Sequence, residues 1–250
     1  MTLSALTFNV LYEGLEDVAV EWLDRVADVA GLIRYHEPTL VGLQECWLGQ
    51  TDDIRELLPE YEWFGEDRDI GEHTPIGVHR DRAAIVDKET FWLAPDRTDR
   101  RPAWDATLPR LATHVTVEVA STGQTLHHYN VHLDVDGERA RAESAKILRD
   151  RFAEHDGAVI LTGDCNCRPG SRAYEILADG LEDVREYVER PYGPFETYHG
   201  YDREKGKRID YVFASDSLSA TTHAVLTDRA ANWRSPSDHW PVIARFETGD

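Results

Sequence analysis

Lysine and cysteine are scarce in this 250-residue chain. Only four of its 27 basic residues are lysines (Lys88, Lys146, Lys205 and Lys207), and they stand against 47 acidic residues, for a formal net charge of −20. Taken alone, such a charge repels nucleic acid, anionic lipid and other polyanions. An acidic, lysine-poor surface is also the mark of adaptation to high salt, and at about 1 M ionic strength the Debye length shrinks to about 3 Å. On this salt-adapted, halophilic reading, the global charge excludes no phosphate-bearing substrate. The three cysteines, Cys46, Cys165 and Cys167, are too few and odd in number for a disulfide framework, and fit a reducing compartment. No run of about 18 apolar residues is present, which excludes a helical membrane span. The segment Met1 to Asn9 has no basic stretch or cleavage site and reads as a strand, so a cytoplasmic location is expected. No repeat, low-complexity tract or Pro/Gly/Ser linker divides the chain, so residues 1–250 are expected to form one domain.

What is present is a series of short apolar runs, most of them ending in polar residues. Ser4 to Phe8 reads as a strand ending at Asn9. A helix is expected over Asp17 to His36, with Val18, Trp22, Val26, Val29 and Ile33 at helical spacing and Pro38 beyond its end. Leu40 to Leu43 is a buried strand ending at Gln44-Glu45. Pro75 to His79, Ala83 to Val86 and Phe91 to Leu93 read as short meander strands. Thr113 to Val119 and Leu126 to Val131 form a hairpin about Ser121-Thr122-Gly123. Glu138 to His155 is a second amphipathic helix, Ala158 to Leu161 a strand running into Asp164, and Ser171 the cap of a short helix to Ala178. Ile209 to Ala214 and Val242 to Phe246 close the set. Helices alternating with strands early and hairpins later give a mixed α/β protein with large mixed sheets.

Asn9, Glu45, His132, Asp164, Asn166, Asp210, Asp238 and His239 all lie at, just past or within these strands. In α/β folds ligands bind at that edge, although any one Asn or Asp there is more often a turn former. Period two puts Asn130, His132 and Asp134 on one face, and likewise Asp164 and Asn166, with Cys165 and Cys167 opposite. A carboxylate that activates water beside an amide donor has this form. Asp210 interrupts an apolar strand and needs a histidine or amide partner, because burying it alone costs several kcal/mol. Ser235 to Pro241 is a proline-braced turn presenting Asp238 and His239 side by side. The thiols flank the polar residues, which raises a zinc or redox site as a competitor, but alternation turns them toward the core. Carboxylates, amides and two histidines without a thiolate cluster or closely spaced histidines describe a hard-cation site for Mg²⁺ or Mn²⁺ and phosphate oxygens. That chemistry is phosphoryl ester hydrolysis.

The ordered segments Thr7-Phe8-Asn9, Gln44-Glu45, Asn130-Val131-His132, Gly163-Asp164-Cys165-Asn166, Ile209-Asp210-Tyr211 and Ser237-Asp238-His239 resemble the endonuclease/exonuclease/phosphatase superfamily. Its members include deoxyribonuclease I, exonuclease III-type abasic-site enzymes, deadenylases, neutral sphingomyelinases and inositol polyphosphate 5-phosphatases. Gly71 to Ile76, Phe91-Trp92-Leu93 and the stretch from Trp104-Asp105 to Pro109-Arg110 look like a compact prokaryotic, deadenylase-like branch. The resemblance runs from Thr7 to Val242 and implies a four-layer α/β sandwich, two packed mixed sheets flanked by helices.

Carried over motif by motif, the resemblance implies that Glu45, helped by Asn9, is the main Mg²⁺ or Mn²⁺ ligand, with Asp238 an additional ligand or support. Asp164 looks like the residue that orients or deprotonates the attacking water. Asn166 and His132 would stabilise charge on the phosphate, and Glu72 matches the position that pairs with His132. His239, held by Asp210, would act as general base or phosphate-polarising group. Cys165 replaces the usual aromatic of its motif, while Arg168 and Asp134 depart from the pattern at the pocket. Arg110, Arg141 and Arg168 are candidate phosphate clamps by residue type. The expected activity is metal-dependent hydrolysis of phosphate esters by in-line water attack. A phosphodiesterase or nuclease comes first, and because no long loop or basic, aromatic-studded helix for duplex intercalation is visible, single strands or small substrates are expected ahead of abasic-site repair. A phosphomonoesterase on a nucleotide, sugar or inositol phosphate comes second, and a non-catalytic binding protein on the same fold is the alternative of another class. No membrane partner or obligate protein partner is expected.

Overall fold

The computed structural model describes residues 3–13, 21–67, 72–202, 206–229 and 234–247. Within them the order is β1 (Leu3–Asn9), α1 (Trp22–His36), β2 (Leu40–Gln44), β3 (Cys46–Trp47), α2 (Leu48–Leu57), β4 (Tyr61–Phe64), β5 (Glu72–His73), β6 (Ile76–His79), β7 (Ala83–Trp92), β8 (Leu111–Val119), β9 (Thr125–His132), α3 (Glu138–Phe152), β10 (Ala158–Asp164), α4 (Arg172–Gly180), β11 (Glu182–Asp183), α5 (Val184–Tyr187), β12 (Asp210–Ala214), β13 (Ala220–Val225) and β14 (Val242–Phe246). Two six-stranded sheets result, ordered β13-β14-β1-β2-β6-β4 and β11-β12-β10-β9-β8-β7, with β3 and β5 as a separate ribbon. Only β1 with β2 and β9 with β10 run parallel. A parallel pair needs a crossover rather than a tight turn, and α1 and α3 supply the two crossovers.

Alternation along the strands builds four layers. Ala5, Leu40, Val115, Ile160 and Val212 meet between the sheets. Leu6, Phe8, Val41 and Leu43 point the other way, onto Val29 and Ile33 of α1 and Ile54 of α2. On the far side Tyr129, Val131 and Leu161 pack beneath Leu148 and Phe152 of α3 and Leu177 of α4. Cys165 and Cys167 belong to this outer core, as alternation requires, and Cys46 is equally buried under α1 and α2. Among the described residues, no helix is long and apolar enough to cross a membrane.

The inter-sheet layer turns from apolar to polar toward the C-terminal ends of its parallel strands. Gln44 Nε2 donates to Asn130 Oδ1 (2.7 Å) and to Thr7 Oγ1 (3.0 Å). Thr162 Oγ1 donates to Asn130 Oδ1 (3.1 Å), and Asn130 Nδ2 to the Leu43 carbonyl (2.7 Å). A buried amide is tolerated when its donors and acceptors are matched in this way. Gly42 lets the sheets approach here, since a Cβ at that position would lie 2.2 Å from Thr162 Oγ1 and 2.4 Å from Asn130 Oδ1.

Three features differ from the sequence-based expectation. The separate strands at Ala83–Val86 and Phe91–Leu93 are one ten-residue strand, β7, with an irregular register between Ile85 and Asp87 that breaks the alternation. Helix α2 and strands β4 and β13 were not foreseen, nor were the short elements β3, β5, β11 and α5; α2 escapes because two of its three buried residues, Gln50 and Thr51, are polar. Helix α1 buries Arg25 rather than Val26. The expected helical residues Asp17 to Val20, with Val18, and also Gly71, lie outside the described residues.

Gly42→Ala should therefore destabilise the fold by about 2 kcal/mol or more, the cost of overpacking a matched site. Urea denaturation would show it as a lower midpoint at unchanged slope; a loss below about 0.5 kcal/mol would mean that the polar seam yields readily.

Candidate active site

Register alone gathers the polar strand ends. In the first sheet Asn9 stands beside Gln44. In the second, Asp164 is flanked by His132 on one side and Asp210 on the other. Glu45 follows directly after β2 with φ of 56°, and Asn166 just past β10 has φ of 47°. Both are left-handed conformations that non-glycine residues seldom adopt and that cluster at functional sites. The ribbon pairs Trp47 with Glu72, which brings Glu72 to the same edge.

The Asn9 amide ties the two sheets together. Its Nδ2 donates to Glu45 Oε1 and to Asp164 Oδ2, both at 3.0 Å, while its Oδ1 accepts from the Leu11 N–H (3.0 Å). Glu45 also accepts the Tyr12 N–H through Oε2 (3.3 Å). Asn9 thus orients the two carboxylates and turns its own oxygen away from them. His132 pairs through Nδ1 with Glu72 Oε1 (2.9 Å), and His239 through Nδ1 with Asp210 Oδ2 (2.9 Å). A carboxylate behind an imidazole fixes its tautomer and aims its other nitrogen. Both free nitrogens, His132 Nε2 and His239 Nε2, lie 3.8 Å from the same atom, Asp164 Oδ2.

Burial makes these groups electrostatically distinct. Asp164 is pushed up to about 6, by desolvation first and by Asp210 second, against the pull of His239 and His132. Burial disfavours the charged form of His239, yet its attraction to and hydrogen bond with Asp210, with help from Asp238, raise it well above 6.5. Near neutral pH the site therefore holds a carboxylate base and an imidazolium acid side by side.

A divalent cation fits the donor set. Glu45, His132 and Asp164 each offer an atom within 4.8 Å of the others, as do Asp164, Asp210 and His239. His132 Nε2 is fully buried without a hydrogen-bond partner, so the site lacks a ligand for it. No thiolate competes: burial lifts Cys46 to about 12 and Cys167 to about 11, and Cys165 well above the ordinary thiol range. Glu45 keeps 17% of its side chain exposed at the mouth of the site.

The other expected residues are placed less centrally. Asp238 lies outside both converging groups, and its carboxylate takes the Ser237 hydroxyl (3.4 Å). Asn166 donates its side-chain amide to the Leu133 carbonyl (3.0 Å) and its N–H to Asp164 Oδ1 (2.9 Å). Arg110 is not an exposed clamp: it is buried on Asp134 Oδ2 (3.2 Å) and buttresses the end of β9. Asp134 also accepts the Gly137 N–H (2.8 Å), so its role is to shape the loop before α3. Arg141 and Arg168 do line a cavity of about 320 Å³ adjoining Asn166, together with Arg172, Lys207 and Glu138.

Sequence reasoning missed three supports. Thr197 donates its hydroxyl to Asp210 Oδ2 (2.6 Å) and accepts the N–H groups of Ile209 and Asp210. Ser237 ties the His239 turn to the Asn9 carbonyl (2.7 Å). Arg25, buried in α1, holds the carbonyls of Val10 and Leu11 and that of Pro236 (3.1 Å), joining the chain after β1 to the same turn.

A family model described as the Endonuclease/Exonuclease/phosphatase family matches residues 6–239. A mannosyl-6-phosphatase from Bacteroides thetaiotaomicron superposes with a TM-score of 0.92 at 31% identity, over 98% of this chain and 100% of that one. An endonuclease/exonuclease/phosphatase from Bacteroides vulgatus gives 0.93 at 30% identity, with both chains fully covered. TDP2 from D. rerio, complexed with a single-strand DNA product, gives 0.80 at 21% identity over 99% of each chain, a likeness of fold. No curated protein sequence matches the chain closely enough to count as a relative.

The His239–Asp210 pair makes a pH-dependent prediction. His239 has a folded pKa above its ordinary 6.5, so the pair's stabilisation is complete below about pH 6.5 and fades as pH rises through the folded value. Ring-nitrogen NMR should find His239 still protonated above pH 7. In Asp210→Asn, where burial acts without its counter-charge, it should titrate below 6.5. Equal titration in the two proteins would break the pairing.

Proposed function

The chain belongs to the endonuclease/exonuclease/phosphatase family, whose members hydrolyse phosphoesters, and from that premise we propose that it is a divalent-metal-dependent phosphomonoesterase acting on a sugar phosphate or similar small polyol phosphate. The observation that carries the phosphoryl chemistry is the convergence of two carboxylate-backed histidines on one buried carboxylate oxygen, each at 3.8 Å. The 31% identical mannosyl-6-phosphatase, which the chain covers end to end, supports the monoester and the sugar.

In this reading Glu45 holds Mg²⁺ or Mn²⁺, and the ion, when bound, supplies Lewis-acid charge to the phosphoryl oxygens. Asn9 keeps the Glu45 and Asp164 carboxylates in place. Asp164 takes the proton of the attacking water, a role suited to a carboxylate raised toward neutrality. His239, charged and held by Asp210, donates through Nε2 to the phosphoryl or leaving oxygen. His132 is aimed by Glu72 at the opposite side of the same phosphoryl group. Asn166 has a second amide hydrogen for a phosphate oxygen, and Asp238 adds negative charge in support of the His239 imidazolium.

A phosphodiesterase or nuclease, as a deadenylase-like member taking single-stranded nucleic acid would be, is the second reading. It is favoured by the cavity beside Asn166, where Arg141, Arg168, Arg172 and Lys207 outnumber the one acid, Glu138. In a chain of net charge −20 such a patch suits a second anionic group flanking the scissile phosphate. The buried, unpaired thiols support a reducing, cytoplasmic setting, and the lysine-poor acidic composition supports activity at high salt.

The test is hydrolysis of hexose 6-phosphates, p-nitrophenyl phosphate, bis-p-nitrophenyl phosphate and single-stranded oligonucleotides, at molar KCl with Mg²⁺ or Mn²⁺. Monoester cleavage should dominate, and Glu45→Gln should lower it at least about 100-fold, since metal-borne charge stabilisation is worth several kcal/mol. Preferential diester cleavage that disappears in Glu45→Gln would move the assignment to the second reading. Undiminished turnover in Glu45→Gln would overturn both.

A further inference from the structure

Phosphoester chemistry leaves unused a cluster of three imidazoles on the outer face of the second sheet. His114 on β8, His127 on β9 and His155 just after α3 each bring a ring nitrogen within 4.8 Å of the other two. His127 is level with Val159 and His114, through Tyr129, with Leu161, whereas the active site lies at Asp164, about 10–17 Å further along β10. We propose that His114, His127 and His155 form a second metal site, specific for a nitrogen-preferring divalent ion of the zinc class, that pins the C-terminal end of α3 to the sheet.

Geometry supplies the first argument. His114 Nε2 and His127 Nδ1 are 3.2 Å apart. Two nitrogens bound to one tetrahedral ion at 2.0–2.1 Å stand about 3.3 Å apart, so this pair already has the spacing of neighbouring ligands. The surroundings supply the second. His114 Nδ1 meets Glu89 Oε1 at 3.2 Å, and His155 Nε2 meets the Tyr129 hydroxyl at 2.5 Å. Partners of this kind orient metal-binding imidazoles and fix their tautomers. Glu89 Oε1 is shared between His114 Nδ1 and Arg151, so it orients the imidazole from behind and leaves the fourth position of the shell to water.

Access supplies the third. His155 lines a cavity of about 570 Å³ whose wall also carries Asp150, Asp156, Asp179 and Asp216, with Arg149 as its one cation. An acidic vestibule concentrates cations at its floor. An imidazole ligates in its ring plane, whereas the His127 and His155 rings are now stacked 3.6 Å apart at 13°. His155 is the ring that turns, exchanging its Tyr129 contact for the ion, because it follows the helix on a connection, while His114 and His127 are fixed on paired strands. Three imidazoles select Zn²⁺, Co²⁺ or Ni²⁺ over Mg²⁺, which requires oxygen ligands. The fold would thus sort two classes of ion between its two sites.

The test is Zn²⁺ titration of tag-free, chelator-stripped protein in excess Mg²⁺, read by competition with a chromophoric chelator and by the shift in melting temperature. Co²⁺ in place of Zn²⁺ reports the coordination through its visible absorption. Wild type should bind one equivalent, gain thermal stability and give a tetrahedral Co²⁺ spectrum. Glu45→Gln should do the same, because its change lies at the other site. His155→Ala and His127→Ala should bind Zn²⁺ at least about 10-fold more weakly. Far-UV circular dichroism confirms folding, and the half-exposed His155 provides the variant least prone to disturb it. Absence of Zn²⁺ binding, wild-type Zn²⁺ affinity in either histidine variant, or loss of binding in Glu45→Gln would each overturn the proposal, the last by placing the ion at the catalytic edge.

Discussion

One amide holds the two halves of this molecule in register where it matters. Asn9 Nδ2 donates simultaneously to Glu45 of the first sheet and Asp164 of the second, at 3.0 Å each. Packed sheets are free to slide and rotate by small amounts when only hydrocarbon lies between them. A polar layer with matched donors and acceptors removes that freedom, because each displaced partner is left buried and unsatisfied. The layer of Thr7, Gln44, Asn130 and Thr162 continues inward from Asn9, and Gly42 provides the space it needs. The active edge is the outermost course of this seam.

The same constraint explains how a buried cluster of three carboxylates and two histidines is tolerated. Asp164, Asp210 and Glu72 are nearly inaccessible, and isolated charges there would be costly. Each is matched: Glu72 with His132, Asp210 with His239 and Thr197, Asp164 with Asn9 and the Asn166 N–H. What remains unmatched in the cluster is the His132 Nε2 atom. That residue of unsatisfied capacity is what a phosphoryl group and its cation would fill. Structural matching and the proposed catalytic role therefore draw on the same arrangement.

Much of this site was legible from strand ends alone. Apolar runs ending in Asn, Glu, His or Asp marked Asn9, Glu45, His132 and Asp164, an acid within an apolar strand marked Asp210, and the parallel and antiparallel registers align them. The alternation of helices and strands gave a mixed α/β protein with large mixed sheets, and the family resemblance supplied the four-layer arrangement. What escaped depends on contacts that no local period encodes. Thr197 reaches Asp210 from a loop 13 residues earlier. Arg25 lies buried where a helical pattern places apolar side chains. Arg110 was a candidate phosphate clamp by residue type beside an exposed salt-bridge role, and its buried ion pair with Asp134 appears only across the fold. The register irregularity in β7 interrupted an alternation that would otherwise have joined two segments. His114, His127 and His155 carry no recognisable ligand spacing, since a cross-strand diagonal and a helix terminus bring them together.

The central claim is that Glu45, held by Asn9, marks where the catalytic cation sits and that the two histidine Nε2 atoms face the phosphoryl group beside it. Crystals grown with Mn²⁺ and inorganic phosphate, measured at the manganese absorption edge, test it most directly. The account requires an anomalous peak bonded to the Glu45 carboxylate, with phosphate oxygens facing His132 and His239. A manganese peak bonded elsewhere, with Glu45 bare and phosphate remote from both histidines, would contradict it.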